Sequence, residues 1–97
     1  MIQAFEEAGR LRIPLGGRLD TAHSAAIGEE LLRQVAAASC PVVFDLKDAD
    51  FVASAFLRLC ITAAQRLGQG RLIVANASPM VRKVFAIAGL DRHFPME

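Results

Sequence analysis

The sequence of 97 residues lacks tryptophan and tyrosine and contains only two cysteines. Without those two aromatic residue types, the usual side chains for stacking nucleobases are absent. The net charge of +1 gives no general attraction to nucleic acid or to an anionic membrane surface. No apolar run is long enough to cross a bilayer. These absences argue against a nucleic-acid-binding protein and against a protein inserted in a membrane.

Cysteine and histidine, which are common metal ligands, are also few. Cys40 and Cys60 lack the spacing of metal ligands, and His23 and His93 lie far apart in the sequence. We therefore expect no metal ion and no cofactor. Both cysteines are interpreted as reduced, small hydrophobic side chains of a cytoplasmic protein, and charged residues near the start exclude a signal-peptide core.

Hydrophobic residues make up 54% of the chain, which predicts a folded domain with a modest core. The charges are unevenly distributed. Residues 1–50 carry a net charge of −3 and residues 51–97 a net charge of +4. This asymmetry has two interpretations, chance scatter over a small surface or a polarised docking face.

Short apolar runs alternate along the chain with stretches of helical periodicity. The apolar runs, which predict strands, cover residues 11–15, 42–46 and 71–75. The periodic stretches, which predict helices, cover residues 21–37, 54–67 and 79–88. Turns are predicted at the two glycines 16–17 and at the charged segment 47–50. This order predicts an α/β fold in which a four-stranded mixed sheet packs against about three to four helices.

The ends of the chain and the helix faces give further expectations. Residues 1–8 are interpreted either as a short edge strand or as a disordered lead-in, and the tail after residue 90 as a very short strand. Helical periodicity predicts several apolar side chains to be buried or half-buried. These include Ala22, Ala26, Ile61, Met80 and Ile87.

Ser54 stands where a strand, a charged loop and a long helix meet. A serine just before a helix is typical of an N-cap. At about 100° per residue, Ser54 and Arg58 fall on one narrow polar stripe of that helix. The free N–H groups at the helix start would favour an anion such as a phosphate. From these residues alone, a structural cap and a functional serine remain alternatives.

Three motifs resemble the STAS domain, the fold of anti-sigma factor antagonists. Gly17-Arg18-Leu19-Asp20 is similar to the Gly-x-Leu-Asp that opens the family's first helix. Residues 44–57 are similar to the family's strand and its Phe-x-Asp-Ser-Ser-Gly-Leu loop, and residues 77–90 are similar to its closing helix. The motifs occur in the family's order across residues 11–97.

The resemblance implies a non-enzymatic protein that acts by partner switching. In such antagonists an anti-sigma factor that is also a serine kinase phosphorylates one serine, which Ser54 matches. Asp20 matches an acidic residue near that serine that contacts the kinase. A phosphatase would reverse the modification. The predicted partner-binding residues are Asp20, Ala53, Ser54, Ala55, Phe56 and Arg58.

The chain departs from the family's pattern around that serine. Ala53 stands in place of the preceding Asp, Ala55 in place of the second Ser, and Phe56 in place of the Gly. We expect Phe56 either to narrow access to the serine or to contact the partner itself. These departures favour an alternative function, a constitutive STAS scaffold or subunit of a multiprotein signalling or transport complex. The chain also ends where the family has another helix, so we expect a single STAS domain over residues 1–97 that lacks this helix or belongs to a longer protein.

Overall fold

The computed structural model describes residues 2–97. Its strands are β1 (Phe5–Glu7), β2 (Arg10–Pro14), β3 (Gly17–Leu19), β4 (Val42–Asp45), β5 (Ala49–Val52) and β6 (Leu72–Ala75). Its helices are α1 (Thr21–Ala37), α2 (Ser54–Leu67), α3 (Pro79–Ile87) and a short 3-10 helix (Leu90–Arg92).

Four strands form the main sheet in the order β1, β2, β4, β6. β2, β4 and β6 are parallel, whereas β1 pairs antiparallel with β2 at the edge. In the tail, Met96 makes a parallel bridge to Val74 beside β6. The predicted four-stranded mixed sheet with three α-helices is therefore confirmed, and the first segment of the chain is an edge strand.

A second ladder, of β3 and β5, was not predicted. These strands pair in parallel, with Leu19 opposite Val52. Both side chains are buried. Their burial stabilises the pairing of β5 with β3, and β5 includes the second half of the charged segment 47–50. The prediction of a turn over all four residues is wrong, because β5 begins at Ala49. Gly17, predicted as part of a turn, opens β3 with a positive φ of 78°.

The core lies between the main sheet and the helices, with α1 and α2 packed against each other. The buried residues of α1 follow one line at helical spacing: Ser24, Gly28, Leu31 and Val35. A Cβ on Gly28 would lie 3.2 Å from a methyl carbon of Leu59, so the glycine permits the close approach of the two helices. The predicted burial of Ala22 and Ala26 is wrong, because the buried line runs through Ser24 and Gly28 instead.

Three other apolar side chains are more exposed than the periodicity predicted. Ile61 on α2 is 37% exposed, and Met80 and Ile87 on α3 are 70% and 78% exposed. In α3 only Val81 and Phe85 are buried. A helix of nine residues covers the core with one narrow line, so the remaining apolar side chains stay on the surface.

The opposite face of the sheet carries a small apolar strip with ion pairs beside it. A buried cluster separate from the main core comprises Val43, Ile73 and Ala75. Arg12 lies opposite Val43 in the register of β2 and β4 and therefore shares this face. Its guanidinium donates to Asp45 at 2.7 Å and to Glu7 at 2.9 Å. These ion pairs therefore lie on the same side of the sheet as the strip.

Asp45 is surrounded by donors. The N–H of Lys47 and the side-chain amide of Asn76 donate to its Oδ1 at 3.0 and 3.1 Å, and Arg12 donates to its Oδ2. Burial alone raises the pKa of the Asp45 carboxyl, but these donors outweigh burial and hold the pKa below its ordinary value. The folded protein therefore favours the ionised carboxylate.

We expect Asp45→Asn to lower the free energy of unfolding at pH 7 by about 1 to 2 kcal/mol, because charge-assisted hydrogen bonds are lost. Since the folded-state pKa lies below the unfolded value, this contribution is complete above about pH 4 and disappears as the pH falls through the folded-state pKa. Urea denaturation between about pH 7 and pH 2 should show the two proteins converging in acid. The exposed Asp50, changed to Asn, is the control. A gap between wild type and Asp45→Asn that stays constant over this range would contradict the assignment.

Candidate functional site

The ladder of β3 and β5 brings two helix starts together. The N–H of Ala53 donates to the carbonyl oxygen of Leu19 at 2.9 Å and extends the parallel pairing. Asp20 directly precedes α1, and Ala53 directly precedes α2. Asp20 and Ser54, distant in sequence, thus lie at the same end of the paired strands.

Ser54 is the first residue of α2 and is exposed. The prediction that it is the N-cap is wrong, because Ala53 holds that position with φ −97° and ψ 167°. The carbonyl oxygen of Ala53 accepts from the N–H groups of Phe56 and Leu57 at 3.0 and 3.2 Å. The pairing of Ala53 with β3 sets the start of the helix one residue earlier than the preference of serine for caps suggests. The Ser54 hydroxyl is therefore not used as a cap.

The start of α2 carries positive partial charge that no side chain of its own neutralises. Ala53 provides no side-chain hydrogen bond, and the first turn contains no acidic residue. By contrast, Asp20 caps α1 and Ser78 caps α3 with their side chains. Unpaired N–H groups at a helix start favour an anionic group nearby. This end of α2 is therefore suited to a negative charge on or near Ser54.

Asp20 has a structural role at the same corner. Its Oδ1 accepts from the N–H of His23 at 2.8 Å and caps α1. Its side chain is only partly buried, so one oxygen can serve the helix while the carboxylate still faces the surface near Ser54. The predicted partner contact and the cap are compatible.

We expect Asp20→Asn to preserve stability and Asp20→Ala to lower the free energy of unfolding by about 1 kcal/mol, because asparagine caps a helix as well as aspartate does. Chemical denaturation of both variants measures this difference. A partner contact that depends on the charge would be weakened in both variants equally. If Asn cost as much stability as Ala, the carboxylate would be needed for more than the cap.

The side chains beside Ser54 are small. Ala53 and Ala55 are half-buried and leave the serine uncovered. Arg58, one turn further along α2, is exposed. None of the ion pairs formed within residues 2–97 involves Arg58. Its guanidinium is therefore available to a group that binds at this surface.

Phe56 does not belong to this surface. Its side chain is completely buried, and its ring centroid lies 6.5 Å from that of Phe44 in the core. The expectation that Phe56 contacts a partner or narrows access to Ser54 is wrong. Two positions into the helix, the chain has already turned this side chain toward the sheet.

A cation–aromatic contact beside the site was missed from the sequence. The guanidinium carbon of Arg18 on β3 lies 4.3 Å from the ring centroid of Phe51 on β5, and both residues are exposed. They are partners in the strand register. The only available signal was the position of Arg18 in the Gly-x-Leu-Asp motif, and the pairing of β3 with β5 was needed to find its neighbour.

Neither metal binding nor a reactive thiol is supported in the described part of the chain. Residues 2–97 contain no group of three or more His, Cys, Asp or Glu side chains arranged to hold a metal ion. Cys60 lies on the buried face of α2, and burial raises the pKa of its thiol well above the ordinary value, so it stays protonated. No helix in this range is both long and apolar enough to cross a membrane.

Comparisons with known proteins agree with the sequence motifs. The model of the STAS domain family matches residues 2–97. A Bordetella bronchiseptica protein, provisionally named anti-sigma factor antagonist BtrV, is 36% identical over 90 residues, which cover 91% of this chain and 78% of the relative.

Two solved structures share the fold. The anti-sigma factor antagonist SpoIIAA in its unphosphorylated form matches with a TM-score of 0.80 and 25% identity, over 100% of this chain and 88% of that chain. A STAS domain protein from Planctomyces limnophilus matches with a TM-score of 0.89 and 24% identity, over 98% of this chain and 87% of that chain. With the family model matching almost its whole length, the chain belongs to the STAS domain family.

Proposed function

We propose that this protein is an anti-sigma factor antagonist that switches partners through phosphorylation of Ser54. The observation that carries the proposal is the exposed Ser54 at the start of α2, at the same end of the paired strands as Asp20 and with no acidic residue in the first turn. The named relatives support it. The Bordetella bronchiseptica protein is called an anti-sigma factor antagonist, and solved structures of SpoIIAA show an unphosphorylated and a phosphorylated form. The protein acts by binding and contributes no catalytic residue.

In the unmodified state the docking surface carries one acidic and one basic side chain, so it has no net charge. Its members are Asp20, Ala53, Ser54, Ala55 and Arg58. The small alanines let the active site of a serine kinase reach the Ser54 hydroxyl. An anti-sigma factor that is bound to this surface cannot hold its sigma factor, so the sigma factor is released.

Phosphorylation adds about 1.5 to 2 negative charges and three strong acceptor oxygens at Ser54. The new bond joins Oγ to the γ-phosphorus of ATP, the bond from that phosphorus to ADP breaks, and the hydroxyl proton passes to a base of the kinase. The N–H groups at the start of α2 and the guanidinium of Arg58 lie where they can stabilise the phosphate. The phosphate therefore need not unfold the domain to disturb the interface.

The energy needed for release is modest. A hundredfold loss of affinity corresponds to about 2.8 kcal/mol. An unmatched charge buried in an interface costs at least that much, and the Asp20 carboxylate nearby adds repulsion. A phosphatase that removes the group restores binding.

The second candidate is a constitutive STAS scaffold or subunit of a multiprotein signalling or transport complex. Ala53 and Ala55 favour it because they replace an Asp and a Ser of the family's motif. The exposed apolar side chains of Met80 and Ile87 on α3 also suit a permanent contact. Phe56 no longer supports this candidate, because its side chain lies in the core. A scaffold would retain its partner whatever the state of Ser54.

The intact mass of the protein purified from its own cells tests the proposal. We expect a fraction to carry one phosphate, which phosphatase removes and which Ser54→Ala lacks. Cells sampled during growth and during stress should differ in this fraction. A single unmodified mass under both conditions would favour the scaffold.

A further inference from the structure

A cleft lies between α1 and α2 beside the Ser54 surface. Its volume is about 270 Å³. It is lined by Thr21, Ser24, Ala25, Ala55, Arg58, Leu59 and Thr62. The close packing of Gly28 against Leu59 holds the two helices together below it. The cleft is thus a feature of the helix pair and not of a loop.

The hydroxyl of Ser24 is the unusual feature of this cleft. Ser24 is only 2% exposed, and its Oγ is buried without a hydrogen-bond partner within the described residues. A buried hydroxyl without a partner is unfavourable. A polar atom that entered the cleft and reached Ser24 would remove this penalty.

The charges around the cleft favour an anion. Arg58 is the only charged residue that lines it within the described range. Ala55 belongs to the first turn of α2, where no side chain caps the helix and no acidic residue neutralises its positive end. The nearest carboxylate in sequence, Asp20, does not line the cleft and accepts a hydrogen bond from the N–H of His23. Arg58, the first turn of α2 and Ser24 therefore lie around one space.

We propose that this cleft receives the carboxylate of an Asp or Glu side chain from the docked anti-sigma factor, with Arg58 as its counter-ion. The identity of the partner rests on the proposed function. The cleft shares Ala55 and Arg58 with the Ser54 surface, and the small side chains of Ala25 and Ala55 in its lining leave room for a side chain of that length. Since Arg58 lies one turn from Ser54, a phosphate on Ser54 competes with the partner's carboxylate for the same guanidinium.

Titration of the free protein with sodium acetate, followed by amide and arginine Nε–H NMR signals, tests the site without the partner. Sodium chloride at matched ionic strength is the control. We expect saturable shifts at Ser54, Ala55 and the Arg58 side chain. Arg58→Gln should weaken acetate binding at least fivefold, while Arg66→Gln, an exposed arginine in the last turn of the same helix, should leave it unchanged.

Absence of saturation, or equal binding by wild type and Arg58→Gln, would overturn the proposal. Saturation with inorganic phosphate but not with acetate would overturn the assignment to a carboxylate. These outcomes do not depend on whether Ser54 is phosphorylated in cells, so failure here is distinct from failure of the switch. With the anti-sigma factor in hand, Arg58→Glu should weaken binding at least tenfold, and one Asp or Glu to Arg change in that partner should restore it.

Discussion

Ser54→Asp is expected to weaken binding to the anti-sigma factor about 100-fold, which corresponds to about 2.8 kcal/mol. The substitution places a permanent second negative charge, in addition to Asp20, on a surface that otherwise has no net charge, and an unmatched charge in an interface is costly. Ser54→Ala should keep nearly full affinity, because it removes only a small exposed hydroxyl. Isothermal titration of both variants against the purified anti-sigma factor measures the difference.

The same aspartate should not damage the fold. At the first position of α2 it meets unpaired N–H groups and the positive end of the helix, which together are worth about 0.3 to 1 kcal/mol in favour of a carboxylate. Binding is therefore lost while stability is unchanged or raised. Ser39→Asp, which adds the same charge at an exposed position between α1 and β4, is the matched control and should bind normally. Equal affinities of the Ser54→Ala and Ser54→Asp variants would contradict the switch.

Phe56→Ala is expected to lower the free energy of unfolding by about 3 to 5 kcal/mol, because it removes a fully buried ring and leaves a cavity beside Phe44. For a domain of this size that is a large share of a total of about 5 to 15 kcal/mol. Phe51→Ala is the control. That ring is 37% exposed and contacts Arg18, so the loss should be about 1 kcal/mol. Urea denaturation compares the two.

A milder change separates packing from partner contact at position 56. Phe56→Leu keeps most of the buried volume and should remain folded. We expect this variant to bind the anti-sigma factor like wild type. Two results together would contradict the buried position of the ring. The Phe56→Leu protein would be stable but bind weakly, and Phe56→Ala would leave the free energy of unfolding nearly unchanged. The ring would then contact the partner at the surface.

Much of the fold was predictable because its signals are local. The apolar runs of β2, β4 and β6 and the periodic stretches of the three helices are complete within short segments. The ladder of β3 and β5 was not, because residues 47–50 are mostly charged. Those residues become a strand only when Leu19 and Val52 are buried together. This pairing joins segments that are about 30 residues apart, so no local sequence pattern predicts it.

The candidate site also combines features that the local sequence predicts with features that depend on the tertiary structure. Ser54 and Asp20 were found from motifs, but the role of each backbone position required the tertiary structure. Serine prefers caps, yet the hydrogen bond from Ala53 to Leu19 decides where α2 begins. Hydrophobicity likewise favoured Ala22 for the buried face of α1, whereas close packing against α2 selected the smaller Gly28. That Arg58 and Ser24 line one cleft could not be predicted, because it depends on how the two helices pack against each other.

The most direct test of the switch starts from the complex of the purified protein with its anti-sigma factor. Partner switching predicts that ATP dissociates this complex as one phosphate appears on Ser54, that a non-hydrolysable ATP analogue leaves it intact, and that the complex of Ser54→Ala persists with ATP. A wild-type complex that remains bound after Ser54 has been phosphorylated would contradict partner switching and favour a constitutive scaffold.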